Sequence, residues 1–286
     1  MDAEAADGRN YHDQVVIGGG LNTLEWIYHK LHICMCVKQP KTILKSQWPI
    51  TPLAWFSYRT AIAVYIDLML ITYFTNTVLF YLDQDFIVAV SHIAEFYIDL
   101  SNWGLILLTI SFNFKAYVVL KYFHFLTSDV ELTSQPVSFI LLLFFNNLSN
   151  ATAFGVSFIY WVVLYRGPPI LGIFRINVCV MNSVISLLDV FLSEIPVHFA
   201  HFYQPLLVGL AYAIFTYMYH ISGGSNLNAD TWVYPKFIWV NISAKTIFFI
   251  MVLGCVLFIV LHALVILISW TRGRIAVRAE RRAHPA

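Results

Sequence analysis

Residues 246–270, TIFFIMVLGCVLFIVLHALVILISW, carry no Asp, Glu, Lys or Arg and a single histidine, His262. A helix rises about 1.5 Å per residue and the hydrocarbon layer of a bilayer is about 30 Å thick, so roughly 20 such residues cross it. Inside lipid the backbone must satisfy its own hydrogen bonds, and a helix does so within one segment. Working upstream, five more runs read the same way: Arg59 to Tyr81, Ser101 to Tyr122, Phe139 to Tyr165, Ile176 to Leu192 and Gln204 to Ile221. The last two are short, which implies local thinning of the bilayer or burial against neighbours. The fold class is therefore all-α, a polytopic transmembrane helical bundle of about six spans.

Composition points the same way. Hydrophobic residues make up 59% of the chain and charged ones 12%, about half the charged share of an average soluble protein. With a net charge of +1 there is no basic surface to track phosphates, which argues against a nucleic-acid partner. Asp2, Glu4, Asp7 and Asp13 interrupt residues 1–20 without any apolar run, unlike a secretory signal peptide, so the first span is expected to direct insertion. Cys34, Cys36, Cys179 and Cys255 lack metal-ligand spacing and lie in or near apolar segments. Free thiols are expected, with no metal and no cofactor.

Three regions follow: a cytoplasmic N-terminal segment, 1–53, a membrane domain, 54–270, and a basic cytoplasmic tail, 271–286. In the first, Leu24, Ile27, Leu31 and Met35 share one helical face with Lys30 and Lys38 nearby, the pattern of a helix lying in the membrane surface. Cys34 and Cys36 beside it are weak candidates for acylation. Residues 86–98 are apolar but broken by His92 and Glu95, too short to cross and read as interfacial.

Orientation comes from Lys and Arg, which stay on the cytoplasmic side during insertion. Arg9, Lys30, Lys38, Lys41 and Lys45 precede the spans, and Arg272, Arg274, Arg278, Arg281 and Arg282 follow them, whereas Leu82 to Leu100 holds four acids and neither base. Both termini are expected to be cytoplasmic, in the plasma membrane or an endomembrane, with anionic lipids as partners of the tail. The sequon Asn241-Ile242-Ser243 then falls outside and is a candidate for glycosylation; those at Asn147 and Asn150 lie within a span.

Ionisable residues in spans are costly, by about 2.5–3.5 kcal/mol each, and face the bundle interior or a partner. Here they are Asp67, Lys115, Asp189 and His262. Counting from the cytoplasmic ends places Asp67, Lys115 and His262 roughly 9–12 Å deep and Asp189 about 6 Å deep, so the four are read as one buried polar layer with an Asp67–Lys115 ion pair. A structural strut is the plain reading and a proton or ion relay the functional one. In the fourth span Cys179, Asn182, Ser186, Asp189 and Ser193 recur at steps of three and four and form one stripe that must face protein or a cavity. Asn146, Asn147, Ser149 and Asn150 precede Ala151, Ala153 and Gly155 in the third span; such residues let helices approach and bond across.

Taken in order, several elements carry a family resemblance. Trp55 and Tyr58-Arg59 lead into the first span, Ser101-Asn102-Trp103-Gly104 into the second, and Asn146-Asn147 with Tyr160-Trp161 lie in the third. Asn182, Asp189, Pro196 and His201 follow, then Gly223-Gly224, Trp232-Val233-Tyr234-Pro235 and Trp239. The ordered set, over most of residues 55–240, resembles the rolling stone family of insect myoblast-fusion proteins. More distantly it is similar to the androgen-induced family of multi-pass membrane proteins, some of which hydrolyse fatty-acid esters of hydroxy fatty acids with an intramembrane threonine and histidine. The resemblance puts Leu107 where that threonine stands and Cys179 where the histidine stands. Thr109 lies two residues on but about 200° round the helix.

Leucine cannot attack an ester, and a thiol in apolar surroundings stays unreactive without a neighbouring base. What the resemblance implies is a non-catalytic membrane protein acting by interaction, in adhesion or fusion at the cell surface, with a membrane-protein partner. The alternative is a lipid-ester hydrolase using Thr109 and Cys179.

Overall fold

Thr51 and Pro52 start the first long helix. The Thr51 hydroxyl accepts the Ala54 amide at 3.4 Å, and proline at the first helical position costs no hydrogen bond because that amide has no intrahelical partner. The computed structural model describes residues 35, 37, 39–82, 96–130, 132, 135–164, 176–224 and 244–283. The chain divides into residues 1–34 and Met35–Ala286, and the described residues all belong to the second part. The expected surface helix, Cys34, Cys36, Asn241 and residues 225–243 lie outside them.

Helix α1 runs Pro52–Leu82 and α2 Leu100–Lys121, followed by a short helix, Phe123–Thr127. Helix α3, Val137–Phe158, widens into a π turn, Ile159–Leu164; another, Asn177–Met181, leads into α4, Asn182–Leu192. Helix α5, Tyr203–Ile221, follows a 3-10 turn, and α6 is Ala244–Ala283. Gly223, at φ 77°, closes α5 in the left-handed conformation that glycine adopts without steric cost.

Among the described residues five helices are long and apolar enough to cross a membrane: Pro52–Asn76, Leu100–Lys121, Val137–Val162, Phe199–Ile221 and Val252–Ala279. The fourth expected span is a shorter apolar helix, Asn177–Leu192. It stops because Ser193 turns extended, at φ −83° and ψ 150°, and Pro196, lacking an amide, cannot continue a helix. Residues 194–198 carry no helix before the 3-10 turn at Phe199–Phe202. At the other end, the residues after Trp270 that read as a separate tail continue α6 as far as Ala283, since Arg and Ala favour helix. Forty residues make a rod about 60 Å long, twice the hydrocarbon thickness, so α6 projects beyond the membrane.

Helix α3 is central and packs on α2, α4, α5 and α6. Residues 146–153 are buried at every position, so its Asn, Ser and Thr side chains form no solvent face. They are tolerated because they bond to the backbone and to neighbouring helices: Thr152 Oγ1 donates to Leu148 O at 2.7 Å, Asn150 Nδ2 to Asn146 Oδ1 at 3.1 Å, and Ser183 Oγ of α4 to Ala153 O at 2.9 Å. Close approach relies on glycine. A Cβ at Gly209 of α5 would lie 2.5 Å from the Phe258 ring of α6, and one at Gly155 of α3 would meet the same ring at 3.6 Å, so the ring has no room to retreat. Gly209→Ala is expected to cost about 1–3 kcal/mol, measured by thermal unfolding in detergent, and Phe258→Leu should recover part of it. Unchanged stability in the single variant would show that the ring moves freely.

Candidate functional site

Asp189, three residues before the end of α4, is fully buried and holds the charged centre of the bundle. Its Oδ1 accepts from Arg59 Nη1 of α1, and its Oδ2 from Lys115 Nζ of α2 at 2.8 Å. Both cations are sealed, at 2% and 1% exposure, so this is a three-helix ion cluster without solvent screening. Aromatic faces shield the cations: the Arg59 guanidinium lies 4.3 Å from the Trp55 ring centroid and Lys115 Nζ 4.5 Å from that of Phe112, geometry that favours a cation over the negative ring face.

A third basic residue of the cluster comes from α6. Arg272 is buried and donates Nη1 to Val190 O and Nη2 to Ile195 O, the latter at 2.6 Å, with Ser193 Oγ 3.4 Å away. Ten residues earlier on α6, His262 Nε2 lies 3.0 Å from His198 O. The chain between α4 and α5 leaves the helix, its carbonyls lose their intrahelical donors, and α6 supplies replacements. Non-helical backbone at membrane depth persists only where protein satisfies it in this way. From the other side, residues 45–48 pair with the end of α4: Gln47 N to Leu192 O at 2.8 Å, Glu194 N to Lys45 O at 3.1 Å, and Trp48 Nε1 to Phe191 O at 3.0 Å. Trp55 Nε1 ties the same segment to α1 by donating to Leu44 O at 2.8 Å.

A separate polar node joins α3 to α5. Asn147 Nδ2 donates to Gln204 Oε1 at 2.9 Å and lies 3.4 Å from His201 Nδ1. Gln204 also lines an apolar groove of about 490 Å³ between α2, α3 and α5, walled by Trp103, Leu107, Phe144, Leu148 and Phe215 among others. That volume lies within the range of ligand pockets.

The sequence-derived residues fall into different places. Lys115 and Asp189 meet, but Asp67 does not join them: it is half-buried and its Oδ1 accepts from Asn113 Nδ2 at 2.7 Å. The reason is the start of the helix. Counted from Pro52, Asp67 lies about 22 Å along α1, and it is about 12 Å beyond Arg59. Nor does His262 share the cluster's level, being about 15 Å along α6 from Arg272. The fourth-span stripe of Cys179, Asn182, Ser186, Asp189 and Ser193 is buried throughout, while Val184, Leu187 and Leu188 face outward. Thr109 Oγ1 donates to Leu105 O of its own helix at 2.9 Å, and Cys179 packs in an apolar core with Ile66, Leu105 and Leu108. Neither lines the groove, whereas Leu107 does. Among the described residues no group of His, Cys, Asp and Glu is arranged to hold a metal.

Arg59 and Arg272 were missed as partners, the first assigned to the end of a span and the second to the tail. His201 carried no sequence signal beyond its place in the ordered set, and Gln204 none beyond marking the start of the fifth span. That set acquires physical meaning in the structure. Asn102 Nδ2 donates to Phe96 O at 2.6 Å and Trp103 Nε1 to Tyr97 O at 2.7 Å, fixing the start of α2, and Gly104 lets Val156 of α3 come within 2.9 Å of where a Cβ would stand.

No solved structure matches the chain. Protein rolling stone of Drosophila melanogaster is 27% identical over 159 residues, which cover 51% of this chain and 57% of that protein. Thus the alignment spans little more than half the length of the curated relative. The family described as protein rolling stone matches over a longer stretch, residues 53–280, from the start of α1 to the projecting end of α6. With most of its length matched, the chain belongs to the rolling stone family.

Proposed function

We propose that this protein acts in a membrane by contact and not by catalysis, as a component of cell adhesion or fusion. The observation that carries this reading is where the reactive side chains are spent. Asp189 is saturated by two cations, His262 is engaged with backbone, and Thr109 and Cys179 lie off the groove. A hydrolase needs a nucleophile and a base within reach of one substrate atom, and the groove offers Leu107 instead. Large apolar side chains of α5 and α6, Leu207, Ile214, Val256 and Val260 among them, face outward and suit lipid or a membrane-protein partner. Family membership favours the fusion reading by analogy only.

The test has two arms. Cells that do not normally fuse, made to display the chain, should aggregate or form syncytia above the background of an unrelated multi-pass protein. Purified protein given a panel of lipid esters should release no acid above the blank. Hydrolysis abolished by Thr109→Ala or Cys179→Ala would replace this reading with the hydrolase one. Both termini are proposed to be cytoplasmic, on the strength of the basic residues at each end; tags at the two ends should resist external protease equally in intact cells, and cleavage of one alone would contradict it.

A further inference from the structure

The ion cluster is unbalanced. Arg59, Lys115 and Arg272 are buried around Asp189, with half-buried Glu194 within electrostatic range of Arg272. Among the described residues three positive charges face two negative ones, and an uncompensated charge sealed inside a membrane bundle is costly.

Unused hydrogen-bond donors gather at the same place. Lys115 has three N–H groups and gives one to Asp189. Arg59 Nε, Tyr58 Oη, Ser111 Oγ, Ser186 Oγ and Asn182 Nδ2 are buried without a partner. Ser111 precedes Lys115 by one turn on α2, and Ser186 precedes Asp189 by one turn on α4. These two helices run in the same direction. Gly104 and Phe139 pack α2 antiparallel to α3, and the bonds from Ser183 to Ala153 and from Ser157 to Cys179 set α4 antiparallel to α3 as well. With the Lys115–Asp189 bond fixing their level, both serine hydroxyls lie on one side of it, and Asn182 lies a turn further on. Side chains one turn apart are about 5–6 Å apart.

We propose that the unpartnered donors beside the Lys115–Asp189 bond hold one small monovalent anion, chloride or another halide, bound by Lys115, Ser111 and Ser186. Water would answer the donors but not the charge. A cation would be repelled, and a lipid phosphate is too large for residues sealed to 0–1% exposure. Asn150 Oδ1 and Asn182 Oδ1, buried acceptors without partners, suit waters held beside the ion.

The experiment uses the full chain in detergent, unfolded thermally in sodium chloride and in sodium gluconate at equal ionic strength. Binding to the folded state alone should raise the melting temperature in chloride by about 5 °C, saturating with concentration. Ser111→Ala with Ser186→Ala should lose most of that chloride shift while still melting cooperatively in gluconate. Crystals grown in bromide should show an anomalous peak between Ser111, Ser186 and Lys115. Equal melting of the unmodified chain in the two salts overturns the proposal, as does a chloride shift untouched by the serine changes or a bromide crystal with only water at the site.

Discussion

Asp189→Asn is expected to cost about 3–5 kcal/mol, the penalty for removing one partner of a buried ion cluster and leaving the other charges unpaired. Two cations depend directly on that carboxylate, and neither has water to turn to. Lys115→Met should cost clearly less, because it leaves the Arg59–Asp189 pair electrically neutral and fills the space with an apolar chain of similar length. The order of the two losses is the diagnostic result. Thermal unfolding of both variants in detergent measures it, with Asp67→Asn alongside as a control. Since Asp67 bonds Asn113 on a different part of α1, its effect should simply add to that of Lys115→Met. A Lys115→Met variant as damaged as Asp189→Asn, or coupling between Asp67 and Lys115, would mean the charges are arranged otherwise.

Arg272→Met is expected to destabilise by about 2–4 kcal/mol, because the Val190 and Ile195 carbonyls would each lose a buried donor, at about 1–3 kcal/mol apiece before relaxation. Arg272 joins α6 to the break between α4 and α5 at two acceptors that a forked guanidinium spans and an ammonium does not. Arg272→Lys should therefore rescue little, although it keeps the charge. Amide exchange should rise at residues 194–198 before it rises in α4 or α5, since the break depends on side chains for its satisfaction. If lysine restores full stability, charge at this position matters and the fork does not.

The anatomy of α3 shows why hydropathy reads spans well and their faces less well. A helix enclosed on every side has no polar stripe to mark its outside, so Asn146 to Asn150 signalled packing without naming partners. On α4 the stripe was legible, because that helix has an outer face, Val184, Leu187 and Leu188, against which Asn182, Ser186 and Asp189 stand out.

By itself the sequence determined that the chain is a bundle of membrane helices, since runs of apolar residues about 20 long have few other ways to bury their amides. It also determined the inward stripe of α4, through helical periodicity, and the family, through an ordered set of residues. Only the tertiary structure decided who pairs with whom. Depth counted from the expected start of a span errs by the residues the helix adds before it, and the seven residues from Pro52 to Tyr58 moved Asp67 away from Lys115 and brought Arg59 to Asp189. Likewise, Arg272 reads as a tail residue until the broken chain beside it presents carbonyls that need a donor. Those pairings depend on axial register between helices distant in sequence, which local patterns of hydropathy and charge do not encode.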